Sequence, residues 1–302
     1  MKTLVVGGTG FAGGYTALYL RKLGWDVTIM GRKPPPAGTA LAQLPFQQGD
    51  YLAPEFPDTR LHGFDAMIFA AGADITRLPG GDLTSPKDFY YRCNTVGMPA
   101  FFRKAKAAGI GRVVNLGSFY AHVAPAEALA DPYVASRAES CKRVRALSDD
   151  CFAVCAVNAP FILGIVPDLP VAHLSAIKAY VMGQIPGAPQ FAPQGGTNHV
   201  TLLTVAEALR GALERGEAGK AYLIGDANYS WKEYLESWAQ ACGVPREYEV
   251  RGDTDHPLIP FAIMYAGIGS TVSYQVDREE QVLLGYGQGR MEREISACAE
   301  HY

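Results

Sequence analysis

The residues Gly7-Gly8-Thr9-Gly10-Phe11-Ala12-Gly13 put glycines at positions 7, 10 and 13, directly after the apolar run Leu4-Val5-Val6. A strand that turns sharply into a helix aims free backbone N–H groups and the positive end of the helix dipole at one point, which suits an anion. Gly7 permits the turn, Gly10 lets the backbone approach a pyrophosphate, and Gly13 lets helix and strand pack closely. The chemistry expected is capture of a dinucleotide. Its identity is read at the end of the next strand, Asp26-Val27-Thr28-Ile29-Met30, where a carboxylate would accept hydrogen bonds from a ribose 2′-hydroxyl. Here Gly31 is followed by Arg32-Lys33. A guanidinium and an ammonium suit a 2′-phosphate, so NADP is preferred over NAD.

These groups need a scaffold, and the first half of the chain supplies one. Short apolar runs at 4–6, 26–30, 66–70, 112–116 and 152–157 alternate with helical patterns at about 11–23, 86–108 and 133–147. Continuous apolar strands alternating with helices imply a parallel sheet covered on both faces. We expect a doubly wound α/β fold of about seven strands, with ligand across the carboxyl ends of the strands. After Pro160 the regularity fails. Prolines at 167, 170, 186, 189 and 193 break the segment to Gly196, which reads as loops and one helix at about 171–182. Helical and strand patterns return at about 204–214 and 221–224, and Ser230 with Glu233 forms a capping box for a helix to about Cys242. The expected division is 1–160 plus 204–225 for the dinucleotide, and 161–203 plus 226–302 as a small, non-contiguous substrate region.

Composition excludes several function classes. The 302 residues carry 27 Lys+Arg against 30 Asp+Glu, a net charge of −3. Nothing global in that balance favours nucleic acid or an anionic membrane. With 48% hydrophobic and 19% charged residues the chain is not disordered. The apolar runs are too short for a membrane span or a signal peptide, so a cytoplasmic location is expected. Six cysteines include no CxxC pair, and no metal site is expected. Cys151 and Cys155 are expected to share a buried strand face.

The Gly-x-x-Gly-x-x-Gly spacing resembles the extended branch of the short-chain dehydrogenase/reductases, the NAD-dependent epimerase/dehydratase family. Further segments resemble it in the same order: Gly49-Asp50 after the third strand, Ala70-Ala71-Gly72 ending the fourth, and Asn94 in an Asn-Thr-Val-Gly context. Val113 to Ser118, Tyr133-Val134-Ala135-Ser136-Arg137, Asn158-Ala159-Pro160-Phe161-Ile162-Leu163-Gly164, His199 to Ala208 and Leu283-Leu284-Gly285-Tyr286 complete the set. The resemblance implies a Rossmann-like fold. It adds Asp50, Tyr51, Ala70, Ala71, Gly72, Asn94, Pro160, Phe161 and Ile162 to the glycine turn, Thr9, Phe11, Ala12, Arg32 and Lys33 as cofactor-binding residues. Tyr133 and Arg137 belong to both the cofactor and the catalytic set.

The implied chemistry is hydride transfer at a carbonyl or carbinol carbon. Tyr133 would give or take the proton, Ser118 would hydrogen-bond the same substrate oxygen, and residue 137 would favour the tyrosinate. A tyrosine with an ordinary pKa near 10 needs such help at neutral pH. The family has lysine at that position and this chain has Arg137, one helical turn from Tyr133 and on the same face. A guanidinium supplies the charge but does not relay a proton. Tyr120 and His122 lie in the loop after the fifth strand, where each reads more simply as a wall or an uninvolved residue. The segment from 160 to 196 is mostly apolar, with Lys178 its one Lys or Arg, and 258–265 adds another apolar run. The substrate expected is therefore a small, weakly charged carbonyl compound, with Arg246 or Arg251 the groups that would rescue a sugar-nucleotide reading. An NADP-dependent oxidoreductase, a nucleotide-sugar epimerase or dehydratase, and a dinucleotide-sensing protein without catalysis all remain open. The resemblance also implies a homodimer through the helices at 86–108 and 133–147.

Overall fold

The computed structural model describes residues 1–73, 85–123 and 126–302. Its first half runs β1 (Lys2–Val6), α1 (Phe11–Lys22), β2 (Asp26–Gly31), β3 (Phe46–Gln48), β4 (Ala66–Phe69), α2 (Pro86–Tyr90), α3 (Met98–Ala107), β5 (Arg112–Ser118), α4 (Tyr120–Val123), α5 (Pro132–Arg145) and β6 (Ala153–Ala159). The second half runs β7 (Phe161–Leu163), α6 (Ala172–Val181), β8 (Ala192–Pro193), β9 (Gly196–Thr201), α7 (Leu202–Arg215), β10 (Ala221–Leu223), β11 (Ala227–Ser230), α8 (Trp231–Ala241), β12 (Val250–Arg251), β13 (Thr271–Val272), α9 (Arg278–Leu284) and α10 (Met291–His301).

Seven strands form one sheet in the order β10-β6-β5-β4-β1-β2-β3, with every pairing parallel. Parallel neighbours need crossovers, and the helices that make them cover both faces. On one face Val5, Ile29, Ile68 and Val114 pack with Ala17 and Leu20 of α1 and Leu209 of α7. On the other, Leu4, Met67 and Val113 pack with Phe101, Phe102 and Val144. Each such aliphatic side chain, fully buried, contributes roughly 1.5–3 kcal/mol. The order reverses beside β1 and β4, which opens a crevice at the carboxyl edge.

The segment after Pro160 differs from the expected loops. β7, β9, β11 and β13 form a second, four-stranded sheet, packed with α6, α8 and α10 around Trp238, Tyr234 and Tyr180. The expected single helix at 86–108 is also interrupted. Residues Tyr91–Gly97 between α2 and α3 are wound as a π-helix. Pro99 has no N–H to give the Thr95 carbonyl one turn back, so the regular ladder breaks there. Arg143 Nη1 donates to that freed carbonyl at 3.5 Å. A further expectation fails at the cysteines: Cys155 is buried in β6, but Cys151 is exposed in the preceding turn. Among the described residues no group of His, Cys, Asp and Glu is arranged to hold a metal, and no helix is long and apolar enough to cross a membrane.

Candidate active site

A cleft of about 440 Å³ lies between the carboxyl edge of the large sheet and the second sheet. Gly7, Gly10, Phe11 and Ala12 line one side of it. Gly7 sits at φ +81°, and a Cβ there would fall 2.8 Å from the Ala70 carbonyl oxygen, so the turn admits only glycine. At Gly13 a Cβ would overlap the Gly7 carbonyl, which is the close helix–strand approach expected of the third glycine. Gly10 caps α1 without a side chain, and the first-turn amides therefore have no side-chain acceptor.

Across the cleft stand Ser118, at the end of β5, and Tyr133 and Arg137 of α5. The start of α5 is set by the sequence Asp131-Pro132-Tyr133. Asp131 Oδ1 accepts from the Tyr133 and Val134 N–H groups at 2.8 and 3.1 Å, and Pro132 occupies the first turn, where its missing N–H costs nothing. Tyr133 is thereby held in the first turn and Arg137 follows on the same face. Arg137 is only 9% exposed. Its Nη2 donates to the Leu116 carbonyl at 3.0 Å, its Nη1 lies against Gly72, and its Nε has no partner. Among the described residues no carboxylate pairs with this nine-tenths-buried guanidinium, which faces the cleft.

Asn94 does not line the cleft. It sits in the π-helical segment, fully buried, where its Oδ1 accepts from the Ala73 N–H and its Nδ2 donates to the Ala73 carbonyl and to Ser136 Oγ, each at 3.0 Å. It ties the end of the fourth strand to α5 between Tyr133 and Arg137.

The far end of the cleft is aromatic. Tyr133 packs edge-on to Tyr90 (5.4 Å between centroids) and against a tilted Tyr265 ring (4.9 Å, 31°). Tyr265 meets Tyr120 edge-on at 5.5 Å, and Tyr120 lies on Phe119 at 4.2 Å. Burial, followed by the neighbouring phenol of Tyr133, pushes the pKa values of Tyr120 and Tyr265 upward, so both stay neutral. Phe161, His173, Trp231 and Met264 also line the cleft, with His173 against Phe11 beside the glycine turn, and Arg137 is the one Lys or Arg among the described lining residues.

The remaining expected residues fall into two groups. Ala70, Gly72, Pro160, Phe161 and Ile162 line the cleft with the glycine turn, Ser118, Tyr133 and Arg137. Thr9, Gly13, Arg32, Lys33, Asp50, Tyr51 and Ala71 lie outside its lining. Thr9 packs over Gly31 at the end of β2, and Arg32 and Lys33 are exposed just beyond. Asp50 Oδ1 accepts from the Leu52 N–H at 3.0 Å, and the Tyr51 ring packs on Phe69. Arg246 and Arg251 are also outside the lining: Arg246 donates to Gln190, and Arg251 pairs with Glu249. His173, Thr197 and Trp231 were not singled out from the sequence; no local pattern marks them, because α6, β9 and α8 bring them to the cleft from separate stretches of chain.

A doubly wound sheet with a glycine turn at its carboxyl edge defines a dinucleotide-binding class of α/β protein. Residues 3–165 match the NAD-dependent epimerase/dehydratase family, and the chain belongs to it. A stretch of 117 residues is 29% identical to a UDP-glucose 4-epimerase of Halalkalibacterium halodurans, covering 38% of this chain and 34% of that relative. Among solved structures, gox2253 superposes with a TM-score of 0.78 at 21% identity, covering 99% of this chain and 97% of its own. The Thermus thermophilus UDP-glucose 4-epimerase, solved with NAD, gives a TM-score of 0.75 at 18% identity, covering 100% of this chain and 98% of its own.

Proposed function

We propose that the chain is an NADP-dependent oxidoreductase of this family, moving hydride between the nicotinamide and a carbonyl or alcohol carbon of a small, largely apolar substrate. The observation that carries this reading is the make-up of the cleft: uncapped amides at the glycine turn, a buried cation beside Tyr133, and an aromatic far end. The residues fit a dinucleotide. Gly7 and Gly10 line the cleft at the start of α1 with no side chain to fill it, and Arg137 keeps a buried Nε unpartnered. Arg32 and Lys33 would hold a 2′-phosphate, and the relative solved with NAD supports a nicotinamide dinucleotide of either kind. Bound there, the nicotinamide supplies or accepts the hydride.

The chain's own groups handle the proton. Tyr133 gives its phenolic proton to the substrate oxygen as the alcohol forms, or takes it back in oxidation. The Ser118 hydroxyl donates to the same oxygen. Arg137 favours the tyrosinate by charge alone. Residues 1–160 and 204–225 are assigned to the dinucleotide, since β10 is the last strand of the large sheet and α7 packs on its face, and 161–203 with 226–302 to the substrate. A second copy is assigned to the outer face of the helices around 86–108 and 133–147, where Tyr91 and Val96 are exposed; a monomer's mass in sedimentation would remove that assignment.

The second reading is a nucleotide-sugar epimerase or dehydratase, favoured by the identity to UDP-glucose 4-epimerase. A sugar diphosphate needs cations at the far end of the cleft, and Arg246 and Arg251 are engaged elsewhere. The deciding experiment follows NADPH absorbance over a panel of ketones and aldehydes, with Tyr133→Phe as control. Consumption that the variant abolishes supports the oxidoreductase. Sugar-nucleotide turnover with no net cofactor change selects the epimerase. Tight NADP binding with no turnover of either kind selects a sensing protein.

A further inference from the structure

The segment from Pro260 to Val272 lies over Tyr133, and it is anchored at both ends. At one end the Phe261 N–H donates to Asp255 Oδ1 at 2.7 Å and opens a 3-10 turn. At the other, β13 pairs with β9 in the second sheet. Between the anchors Ile263, Met264, Tyr265 and Ala266 line the cleft, each half-buried; Ile263 and Met264 also pack against the second core, whereas the Tyr265 ring packs on Tyr133 and Tyr120. Gly267 and Gly269, at φ +109° and +74°, turn the chain back toward β13. The apex of this strap is Tyr265. Its ring packs tilted against the Tyr133 ring and near-perpendicular to the Tyr120 ring. Among the described residues its hydroxyl has no hydrogen-bond partner within the chain.

Packing alone does not account for this arrangement. Ile263 and Met264 close the second core, but the Tyr265 ring is not among the side chains packed on it. Here a large ring is placed on the phenol expected to exchange the substrate's proton, in the part of the cleft a substrate must enter. Resting on the reading above, we infer that Tyr265 is the specificity-determining residue of this site: its ring fixes the width of the slot beside Tyr133 and so selects which carbonyl compounds reach that phenol. Wide, fused-ring ketones are excluded by the Tyr265 ring and narrow ones are admitted. The role lies in the ring and not in the hydroxyl, because the contacts with Tyr133 and Tyr120 are ring contacts.

The test uses the NADPH-loaded full chain and two probes, acetone and 2-acetonaphthone. Tyr265→Ala should raise the ratio of kcat/KM for the wide ketone over the narrow one by about tenfold or more, the scale on which pocket volume discriminates. Tyr265→Phe keeps the ring and should leave the ratio within about twofold of the parent. Both variants should bind NADP as the parent does, because Tyr265 lies away from the glycine turn. A ratio unchanged in a folded Tyr265→Ala with parental NADP affinity overturns the inference; so does loss of NADP binding in both variants. If Tyr265→Ala does not fold, Tyr265→Leu takes its place with the same expected direction. If the parent turns over neither ketone, the oxidoreductase reading has failed. Calorimetric binding of the two ketones to the NADP-loaded protein then reads Tyr265 separately, and an unchanged affinity ratio refutes it.

Discussion

Arg137→Met removes the charge beside Tyr133 and keeps most of the side chain's bulk. Residues one turn apart on a helix face lie about 5–6 Å from one another. At about 6 Å and an effective dielectric of about 20, a unit positive charge favours a tyrosinate by roughly 3 kcal/mol. That is about two pKa units of help to the proton acceptor. The assay is NADPH formation during alcohol oxidation, followed as a pH–rate profile. In Arg137→Met the limb that reports ionisation of the proton acceptor should move up by about two units, and kcat at pH 7 should fall about 100-fold. NADP affinity should change less, because the glycine turn is untouched. Arg137→Lys restores a cation one turn from Tyr133 and should recover most of the rate. It also introduces a group that can lose its proton, so its profile should fall again at high pH where the parent's does not. A limb that stays in place in Arg137→Met, with kcat within about threefold of the parent, would refute the electrostatic role. Tyr133 would then need another source of activation.

Three further outcomes follow from the site and its supports. Arg32→Ala should weaken NADP binding about tenfold or more while leaving NAD binding nearly unchanged, by calorimetry; equal effects on both would reject the 2′-phosphate role. Asn94→Ala leaves three buried hydrogen bonds unmade, and urea unfolding should show a loss of roughly 2–4 kcal/mol; a loss under about 0.5 kcal/mol would show that the tie is not structural. Stability should fall in acid because of two buried neutral histidines. Burial pushes His199 down to about 3 and His256 down to about 4, and the Leu258 and Ile259 N–H groups already donate to His256 Nδ1. Both native values lie below the unfolded value near 6.5, so the unfolded chain binds more protons below that pH. The stability is present above about pH 6.5 and is lost as pH falls toward the native values, at about 1.4 kcal/mol per pH unit for each histidine. His199→Phe should remove its own share of that slope, about 1.4 kcal/mol per pH unit, and a slope that does not change would clear His199 of the effect.

The large sheet was legible because its strands are continuous apolar runs and its crossovers are helices of ordinary length. The second sheet was not. β7 and β13 are three and two residues long, and β9 reads Gly-Thr-Asn-His-Val-Thr, a buried strand with little apolar signal. The break in the helix at 86–108 was written in Pro99, but the inward turn of Asn94 depends on the extra winding of the π segment, which composition does not encode. In the site, the glycine turn and the Tyr133–Arg137 pair were readable because each is local, within one turn or one helix face. The contact of Tyr265 with Tyr133 joins residues far apart in the chain, so the apolar run at 258–265 announced a pocket wall without saying which ring would face the phenol. Arg246 and Arg251 show the converse: charge in the tail was visible, and its engagement with Gln190 and Glu249 was not.

The chain first passes from the large sheet to the second at Ala159-Pro160-Phe161, where β6 ends and β7 begins. Proline there locks one backbone torsion at the seam. The platform proposed to grip a coenzyme and the canopy proposed to inspect a reactant are therefore joined there by a stiff hinge-pin, with both sides of it facing the same cleft. Remodelling of the canopy, by lengthening or shortening its loops, can change what is admitted without disturbing the grip below. Such an architecture lets new reactants be recruited by editing the roof alone.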